Sequence, residues 1–324
     1  MLIRIPNWLG DALMATPVYE NLKDLEEIIL FGPESFIKLF EDFPNTKLLA
    51  FFKGDTQKNL ETLKPYKEEK GLLLTNSFSS AWLFFRAGLK ERMGYTGNLR
   101  TLLLTKKVKP PKEKMHQRDK YLYLLDSLGF PVIKRELVLY ISEEKRERAK
   151  NFLKGLKIDL SAPLVLLAPG AAYGPAKKWP LSYFRKLAEW LSKEGYPVLI
   201  VGGPKEIEEG EILSEGLNGV YNLCGKTEIT LLAGIFKLSS LLISNDSGLM
   251  HLGAVLRIPQ IAIFGSTDPE YTGPLNPKAI ILKANLDCSP CFERTCPKGH
   301  YKCLREILPE RVYERAKNIL QIPS

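Results

Sequence analysis

Short apolar runs alternate with helical patterns along the whole chain, and this alternation restricts the fold more than any other feature. The runs are continuous in Leu, Ile and Val, whereas a half-exposed strand would alternate apolar and polar residues. Strands of this kind are covered on both faces, and the intervening helices provide right-handed parallel crossovers. We therefore predict doubly wound α/β sheets in both halves of the chain. The predicted strands are 2–6, 27–31, 47–52, 71–75, 92–95, 164–168, 197–202, 220–223, 241–244, 260–264 and 279–283.

The length of 324 residues is typical of two domains rather than one. A charged helical stretch, 142–160, runs into Ser161-Ala162-Pro163 and the next strand, so we place the boundary near residue 157. The predicted domains are 1–157 and 158–324, and the last helix runs from about Pro309 to Leu320. Two nucleotide-type sheets facing each other would leave one cleft, with ligands at the carboxyl ends of the strands.

Charge is concentrated in one segment. The chain has a net charge of +9, and residues 86–120 contain eleven Lys or Arg against three acids. Such a segment attracts nucleic acid, an anionic membrane surface or a phosphorylated substrate, and it is equally typical of a solvated surface. The interleaved aromatic residues of a nucleic-acid binder are absent from it. No apolar run has the length of a membrane span and we find no secretion signal, so we expect a cytoplasmic protein.

Four of the five cysteines crowd into one stretch near the end of the chain. Cys288, Cys291, Cys296 and Cys303 are separated by two, four and six residues, and His300 lies among them. In a cytosolic chain this spacing suggests metal before disulfide, although the spacer is too short for a standard zinc ribbon. A metal site, a locally packed thiol cluster and a disulfide all remain open.

The stretch "ISNDSGLMHL" (243–252) joins a predicted buried strand to a helix. Ser247 and Gly248 begin the helix, where free backbone N–H groups and the helix dipole favour an anion. Asp246 either caps this helix or binds a sugar hydroxyl, because a carboxylate beside a phosphate would repel it. His251 lies one turn further, on the same face as Ser247.

Two further loops follow predicted strands. "APGAAYGPAKKWP" (168–180) combines glycines and prolines with Lys177 and Lys178, which makes it either a diphosphate-binding loop or an ordinary loop with surface lysines. A helix is expected to start around Pro180. After the first strand, Gly10-Asp11 starts a helix, and Asp11 is either its N-cap or a general base.

These stretches together resemble glycosyltransferase family 9, the ADP-heptose:lipopolysaccharide heptosyltransferases. The resemblance covers nearly the whole chain. It rests on "NWLGDALMATPVYENL", "TNSFSSAWLFFRAGLKERMGY", "PGAAYGPAKKWP", "SNDSGLMHLGAVLRIPQIAIFGSTDP" and "CSPCFERTCPKGHYKCL". It implies the GT-B fold class, α/β, with acceptor bound by the first domain and ADP-heptose by the second. It also implies metal-independent, inverting transfer in one displacement.

The resemblance carries roles onto particular residues. Asp11 matches the catalytic base and Lys177 the phosphate-binding lysine, whereas Asp246, Gly248 and His251 match the donor-site Asp-x-Gly-x-x-His. The implied donor-binding residues are Ala172, Tyr173, Lys177, Lys178, Glu206 (ribose), Thr227 (adenine), Asp246, Ser247, Gly248 and His251. The implied acceptor-binding residues are Asn7, His116 and Lys120.

The cysteine-rich tail favours, within the family, transfer of the second heptose, L-glycero-D-manno-heptose, onto heptosyl-Kdo-lipid A of the lipopolysaccharide inner core. The implied partners are ADP-heptose, this acceptor and the inner membrane surface, where residues 86–120 would meet acceptor phosphates and Kdo carboxylates. The alternatives are a sibling that adds the first or third heptose, or another GT-B nucleotide-sugar enzyme. A nucleic-acid-binding protein is the alternative from a different class.

Overall fold

A computed structural model describes residues 1–321, which divide into two compact units, Met1–Tyr140 and a second unit from Ile141 onward. The division lies before the charged helix α6, Glu143–Gly155, rather than after it near residue 157. This helix packs on a later helix of the second unit, Ile229–Leu238. At Gly234 an added Cβ would lie 2.6 Å from the Lys145 carbonyl oxygen and 2.9 Å from Ala149 Cβ, so the close approach requires glycine. The helix therefore belongs to the second unit.

Unit 1 contains a parallel sheet in the order β3-β2-β1-β4-β5-β6 among the described residues. Its strands are β1 Leu2–Arg4, β2 Ile28–Pro33, β3 Thr46–Phe51, β4 Lys70–Leu73, β5 Glu91–Tyr95 and β6 Lys106–Val108. Its helices are α1 Leu9–Met14, α2 Thr16–Leu22, α3 Thr56–Leu63, α4 Phe78–Arg86 and α5 Gln117–Ser127. Leu2 pairs with Ile29 on one side and Gly71 on the other, so β1 lies between β2 and β4.

Unit 2 repeats this topology in the order β12-β11-β10-β7-β8-β9. Its strands are β7 Val165–Ala168, β8 Val198–Ile200, β9 Val220–Asn222, β10 Leu241–Asn245, β11 Gln260–Phe264 and β12 Ala279–Lys283. Besides α6, its helices are α7 Leu181–Lys193, α8 Ile207–Ser214, α9 Ile229–Leu238, α10 Gly248–Val255, α11 Pro269–Thr272, α12 Lys302–Arg305 and α13 Pro309–Leu320.

The predicted strands and the predicted starts of α7 and α13 are confirmed within one or two residues, and β6 is an additional strand. The strands form as predicted because their apolar side chains are fully buried on both faces, as in Leu166, Leu167 and Ile243. Burial of such a side chain stabilises the folded state by about 1.5–3 kcal/mol. None of the helices within residues 1–321 is long and apolar enough to span a bilayer.

In each sheet the first three strands are added outward in one direction, and the next three are added in the opposite direction, starting beside the first strand. The sheet therefore has one topological switch point. In unit 1 it lies between β1 and β4, and in unit 2 between β7 and β10. Loops that leave the carboxyl ends of such a strand pair diverge and open a crevice, which is where doubly wound sheets bind ligands. The predicted site stretches follow β1, β7 and β10, so each lies beside one of these crevices.

Candidate functional site

The loop after β7 is fixed to the end of β10 by one buried amide. Asn245 is fully buried, and its Nδ2 donates to the Pro169 carbonyl at 2.6 Å while its Oδ1 accepts from Trp179 N–H at 3.0 Å. Trp179 is buried as well and donates through Nε1 to the Ile307 carbonyl at 2.8 Å. Both ends of the predicted diphosphate-binding loop, at Pro169 and Trp179, are therefore fixed to Asn245 at the crevice between β7 and β10.

Lys177 and Asp246, predicted from separate stretches, meet at this crevice. Lys177 Nζ lies 2.5 Å from Asp246 Oδ2, which also accepts from Thr267 Oγ1 at 2.6 Å. The two paired side chains are 13% and 3% exposed. Asp246 does not cap α10, because the N-cap residue is Ser247. The capping interpretation of Asp246 is therefore wrong, and the carboxylate instead holds the lysine ammonium beside the start of α10.

The first turn of α10 offers unpaired donors. Ser247 has extended backbone angles, φ −150° and ψ 173°, and its side chain makes no capping hydrogen bond. Its Oγ is buried and has no hydrogen-bond partner among the described residues. Gly248 is the first helical residue, and His251 is buried one turn further. A helix start with an unsatisfied hydroxyl beside a lysine has the donor set of an anion site.

The two lysines of the loop have different environments. Lys178 Nζ pairs with Glu209 Oε1 at 2.6 Å, on α8. Lys177 Nζ pairs with Asp246 at the start of α10 and also lies 4.9 Å from the centre of the Tyr173 ring, a cation–π distance. Lys177 is therefore the lysine that lies beside the start of α10, and Ala172 is exposed on the same loop.

A segment of the cysteine-rich tail supports this loop. This contact has no local signal in the sequence. Tyr173 OH donates to the Phe292 carbonyl at 2.6 Å, and Ala176 N–H donates to the Arg294 carbonyl at 3.0 Å. At Gly174, φ is +156° and an added Cβ would lie 2.5 Å from the Arg294 oxygen, so the loop requires glycine there. The tail thus fixes the conformation of the loop that carries Lys177.

Glu206 and Thr227 follow the next two strands at the same edge of the sheet. Glu206 Oε2 accepts from Gly203 N–H at 2.8 Å, and an added Cβ at Gly170 would lie 2.9 Å from Glu206 Cγ. Thr227 is half-buried between β9 and α9. These two predicted donor-binding residues therefore lie at the same edge of the sheet as Lys177 and Asp246.

In unit 1, Asp11 lies in the first turn of α1, directly after β1. The N-cap residue of this helix is Trp8, so the interpretation of Asp11 as the N-cap is wrong. Asp11 is half-buried. Burial raises the pKa of Tyr121, and the nearby charge of Asp11 raises it further. A carboxylate in the first helical turn is stabilised in its ionised form by the helix dipole.

A cleft of about 730 Å³ lies at the carboxyl ends of β1 to β4 in unit 1. The sequence carries no local signal for this cleft, because the residues that line it are scattered along the chain. Its lining includes Arg4, Asn7, Trp8, Glu34, Phe51, Lys53, Asn59, Ser77, Ser79 and Trp82. The volume suits a sugar-sized ligand.

The three predicted acceptor residues lie in the loop after β1 and at the start of helix α5, which packs against α1. Asn7 lines the cleft and its Oδ1 accepts from Arg4 at 2.5 Å. His116 is the N-cap of α5, where its Nδ1 accepts from Arg118 N–H at 3.1 Å, and Lys120 lies in the first turn of that helix. Neither His116 nor Lys120 is among the residues that line the cleft.

The basic segment 86–120 does not form one continuous surface. Arg100 is fully buried and donates to the Thr75 carbonyl, and Lys106 pairs with Glu91 at 2.8 Å. The exposed basic residues include Arg86, Lys90 and Lys106 as well as the lysine-rich run 107–114 at the edge strand β6.

The cysteines are all free thiols in the structure. Burial raises the pKa of Cys303, and neighbouring Cys291, Cys296 and Cys288 raise it further, so the four sulfurs share one region. Backbone N–H groups, that of Tyr301 first, lower the pKa of Cys296. Within residues 1–321, no three His, Cys, Asp or Glu side chains are arranged to hold a metal ion.

Comparison with known proteins identifies the family of this chain. The model for glycosyltransferase family 9 (heptosyltransferase) matches residues 58–302. Lipooligosaccharide heptosyltransferase 2 of Campylobacter jejuni is 33% identical and covers 99% of this chain and 98% of its own length. Lipopolysaccharide heptosyltransferase 1 of Pseudomonas aeruginosa is 30% identical, but over 51% of this chain and 50% of its own.

Among solved structures, that of the Escherichia coli ADP-heptose lipopolysaccharide heptosyltransferase II has a TM-score of 0.84 and 27% identity, covering 98% of both chains. The likeness includes both Rossmann-like units and confirms the predicted GT-B fold class. The chain therefore belongs to glycosyltransferase family 9, the heptosyltransferases.

Proposed function

We propose that this protein transfers L-glycero-D-manno-heptose from ADP-heptose to heptosyl-Kdo-lipid A, adding the second heptose of the lipopolysaccharide inner core. The observation that carries the proposal is the Lys177–Asp246 pair beside the unsatisfied Ser247 hydroxyl at the start of α10. Support for the second heptose comes from the relatives, because those named heptosyltransferase 2 align with the whole chain and the type 1 relative with half of it.

The donor site in this proposal stabilises the leaving group. Breaking the bond between heptose C1 and the phosphate oxygen leaves negative charge on the β-phosphate of ADP. The N–H groups of the first turn of α10, the Ser247 hydroxyl and Lys177 supply positive charge there. Asp246 orients Lys177 and accepts hydrogen bonds from heptose hydroxyls, which keeps its charge on the sugar side of the lysine.

Asp11 acts as the general base. It takes the proton from the acceptor hydroxyl as that oxygen attacks C1 from the face opposite ADP, so the configuration at C1 inverts in a single displacement. Its place in the first turn of α1 favours the ionised carboxylate that this role needs.

The acceptor carries phosphates and Kdo carboxylates at a membrane surface. The exposed lysines of residues 107–114 supply a positive surface for peripheral contact with the inner membrane from the cytoplasmic side. Each lysine close to an anionic surface contributes about 1 kcal/mol, and salt weakens this attraction.

Transfer assays with two acceptors test the proposal, using ADP-heptose with Kdo-lipid A that carries no heptose or one. We expect product from the acceptor with one heptose, detected by mass spectrometry. Product from the heptose-free acceptor alone would show that the enzyme adds the first heptose, and a lack of product with both would contradict the proposal.

Substitution of the two charged residues separates their roles. Asp11→Asn should lower kcat by about 10²–10⁴-fold and leave the affinity for ADP unchanged. Lys177→Ala should weaken ADP binding and lower kcat by about 10²-fold. Lys178→Ala is the matched control, because Lys178 pairs with Glu209 instead. Equal loss of ADP affinity and of kcat in Asp11→Asn would show that this carboxylate is structural.

A further inference from the structure

Arg4 is a buried cation without an acidic partner among the residues that the structure describes. It is the last residue of β1 and is 1% exposed. Its guanidinium carbon lies 3.9 Å from the centre of the Phe51 ring and 5.4 Å from that of Phe31. Within residues 1–321, no Asp or Glu forms an ion pair with it. A charged side chain is almost never fully buried in a protein unless it is paired.

The hydrogen bonds of Arg4 leave donors unused. Its Nη1 donates to the carbonyls of Ile5 at 2.6 Å and Phe31 at 3.4 Å, and its Nη2 donates to Asn7 Oδ1 at 2.5 Å. Its Nε is buried and has no hydrogen-bond partner within residues 1–321. A guanidinium has five N–H donors, so these three bonds do not satisfy it. Burial lowers the pKa of Arg4 to about 9, which leaves it protonated at neutral pH.

The surroundings of Arg4 favour an anion. Arg4 lines the cleft of unit 1 together with Lys53 and with Ser77 and Ser79 at the start of α4. The acidic lining residue is Glu34, which is exposed. A buried, uncompensated positive charge at an open cleft of about 730 Å³ attracts a ligand that brings the missing negative charge.

We propose that Arg4 forms an anion-binding subsite in the unit 1 cleft, which takes a phosphate or carboxylate group of the substrate. The guanidinium supplies a charged fork held rigid by Asn7 and the two rings, and Lys53 adds a second positive charge to the lining of the cleft. The identity of the ligand rests on the proposed function, in which the acceptor carries such groups. The existence of the subsite does not.

Binding of inorganic phosphate tests the subsite directly. The Lys177→Ala variant weakens anion binding at the donor site, and Trp8 and Trp82, which line the cleft, report occupancy of the cleft by fluorescence. Phosphate should change this fluorescence, and Arg4→Gln should weaken the binding by about tenfold or more, the equivalent of one charge-assisted hydrogen bond.

Two variants keep this test decisive. Arg100→Gln is the matched control, because Arg100 is also a buried arginine of unit 1 that donates to a backbone carbonyl and does not line the cleft. Arg4→Lys retains the charge without the fork and serves if Arg4→Gln does not fold; it should also bind phosphate more weakly. Unchanged phosphate affinity in the Arg4 variants, or equal loss in Arg100→Gln, would overturn the subsite.

Transfer kinetics identify the group that is bound and separate this proposal from the proposed function. Acceptors with the phosphates removed, or with the Kdo carboxylates esterified, are compared in the wild-type protein and in Arg4→Lys. The modification that removes the bound group should raise KM in the wild type and have little further effect in Arg4→Lys. Equal effects of both modifications in both proteins would refute the subsite while transfer stands. Phosphate binding that depends on Arg4, without any heptose transfer, would refute the function alone.

Discussion

Replacement of Asn245 by alanine should damage both the stability of unit 2 and its donor site. The side chain is fully buried and satisfies two buried backbone groups, the Pro169 carbonyl and the Trp179 N–H. Each group left unsatisfied costs about 1–3 kcal/mol, so Asn245→Ala should lower the free energy of unfolding of unit 2 by about 2–6 kcal/mol. Lys177 lies two residues before Trp179, so release of this turn should also displace the lysine and weaken ADP binding about tenfold.

Asn276 provides a matched control in the same unit. Its Nδ2 donates to the Ile258 carbonyl at 2.7 Å and its Oδ1 accepts from Lys278 N–H at 3.0 Å. Asn276 thus satisfies two backbone groups, as Asn245 does, but it lies before β12 and away from the carboxyl-end crevice. The Lys278 N–H is only partly buried, so water replaces that bond more easily. Asn276→Ala should therefore destabilise unit 2 by a similar or smaller amount and leave ADP affinity unchanged.

The assay needs a signal from unit 2 alone. With Trp8 and Trp82 replaced by Phe, the remaining tryptophans, Trp179 and Trp190, belong to unit 2 and report its unfolding in urea. ADP affinity is measured by calorimetry at a temperature where all variants are folded. Equal loss of ADP affinity in the Asn245 and Asn276 variants would show that the effect is general destabilisation. An unchanged unfolding free energy in Asn245→Ala would refute the role of the buried amide.

Two smaller perturbations probe the surroundings of the site. Gly170→Ala should displace Glu206, because the new Cβ would lie 2.9 Å from Glu206 Cγ, and ADP should bind about fivefold more weakly, the equivalent of one hydrogen bond. Gly155→Ala is the control, because its new Cβ would meet no atom within 4 Å, and it should leave ADP affinity unchanged. Equal effects of the two substitutions would contradict this reasoning. Cys296 should be alkylated by iodoacetamide before Cys303 and remain reactive at lower pH than an ordinary thiol, because backbone N–H groups lower the pKa of Cys296 whereas burial raises that of Cys303. Peptide mapping by mass spectrometry checks this order, and earlier labelling of Cys303 would contradict it.

The fold could be predicted because its strands carry their own signal. A strand that is buried on both faces is a continuous apolar run, and the alternation of such runs with helices leaves few topologies. Strand β6 was missed because Lys106 and Lys107 are exposed and only Val108 is buried. The division of the chain was displaced because α6 has a strongly charged exposed face, and its packing on Gly234 is not visible in its own sequence.

The site could be predicted only where it follows the ends of strands. Asp11, Lys177 and Asp246 come directly after β1, β7 and β10, and the topology of doubly wound sheets places these ends at the crevices. Contacts between residues far apart in the chain gave no local signal, as with the support of Tyr173 by Phe292. Arg4 does carry a local signal, because it is a single charge inside the apolar stretch "MLIRIP".

The two crevices follow the same strand topology, but the cation at each has a different electrostatic environment. In unit 2 the Lys177 ammonium is already neutralised by Asp246, so a diphosphate that arrives gains less from the lysine than it would from an unpaired cation. Under the proposed function this limits ground-state affinity and preserves the interaction for the charge that develops on the β-phosphate as the C1–O bond breaks, and only such differential stabilisation accelerates the reaction. In unit 1, no acid among the described residues pairs with Arg4, so an anion bound at the proposed subsite would meet no competing carboxylate, which suits a group that takes no part in bond breaking and has only to be held. Under the proposed function, the donor crevice thus has a paired cation, which suits a leaving group. The unit 1 crevice has a cation without an acidic partner among the described residues, which suits a substrate anchor.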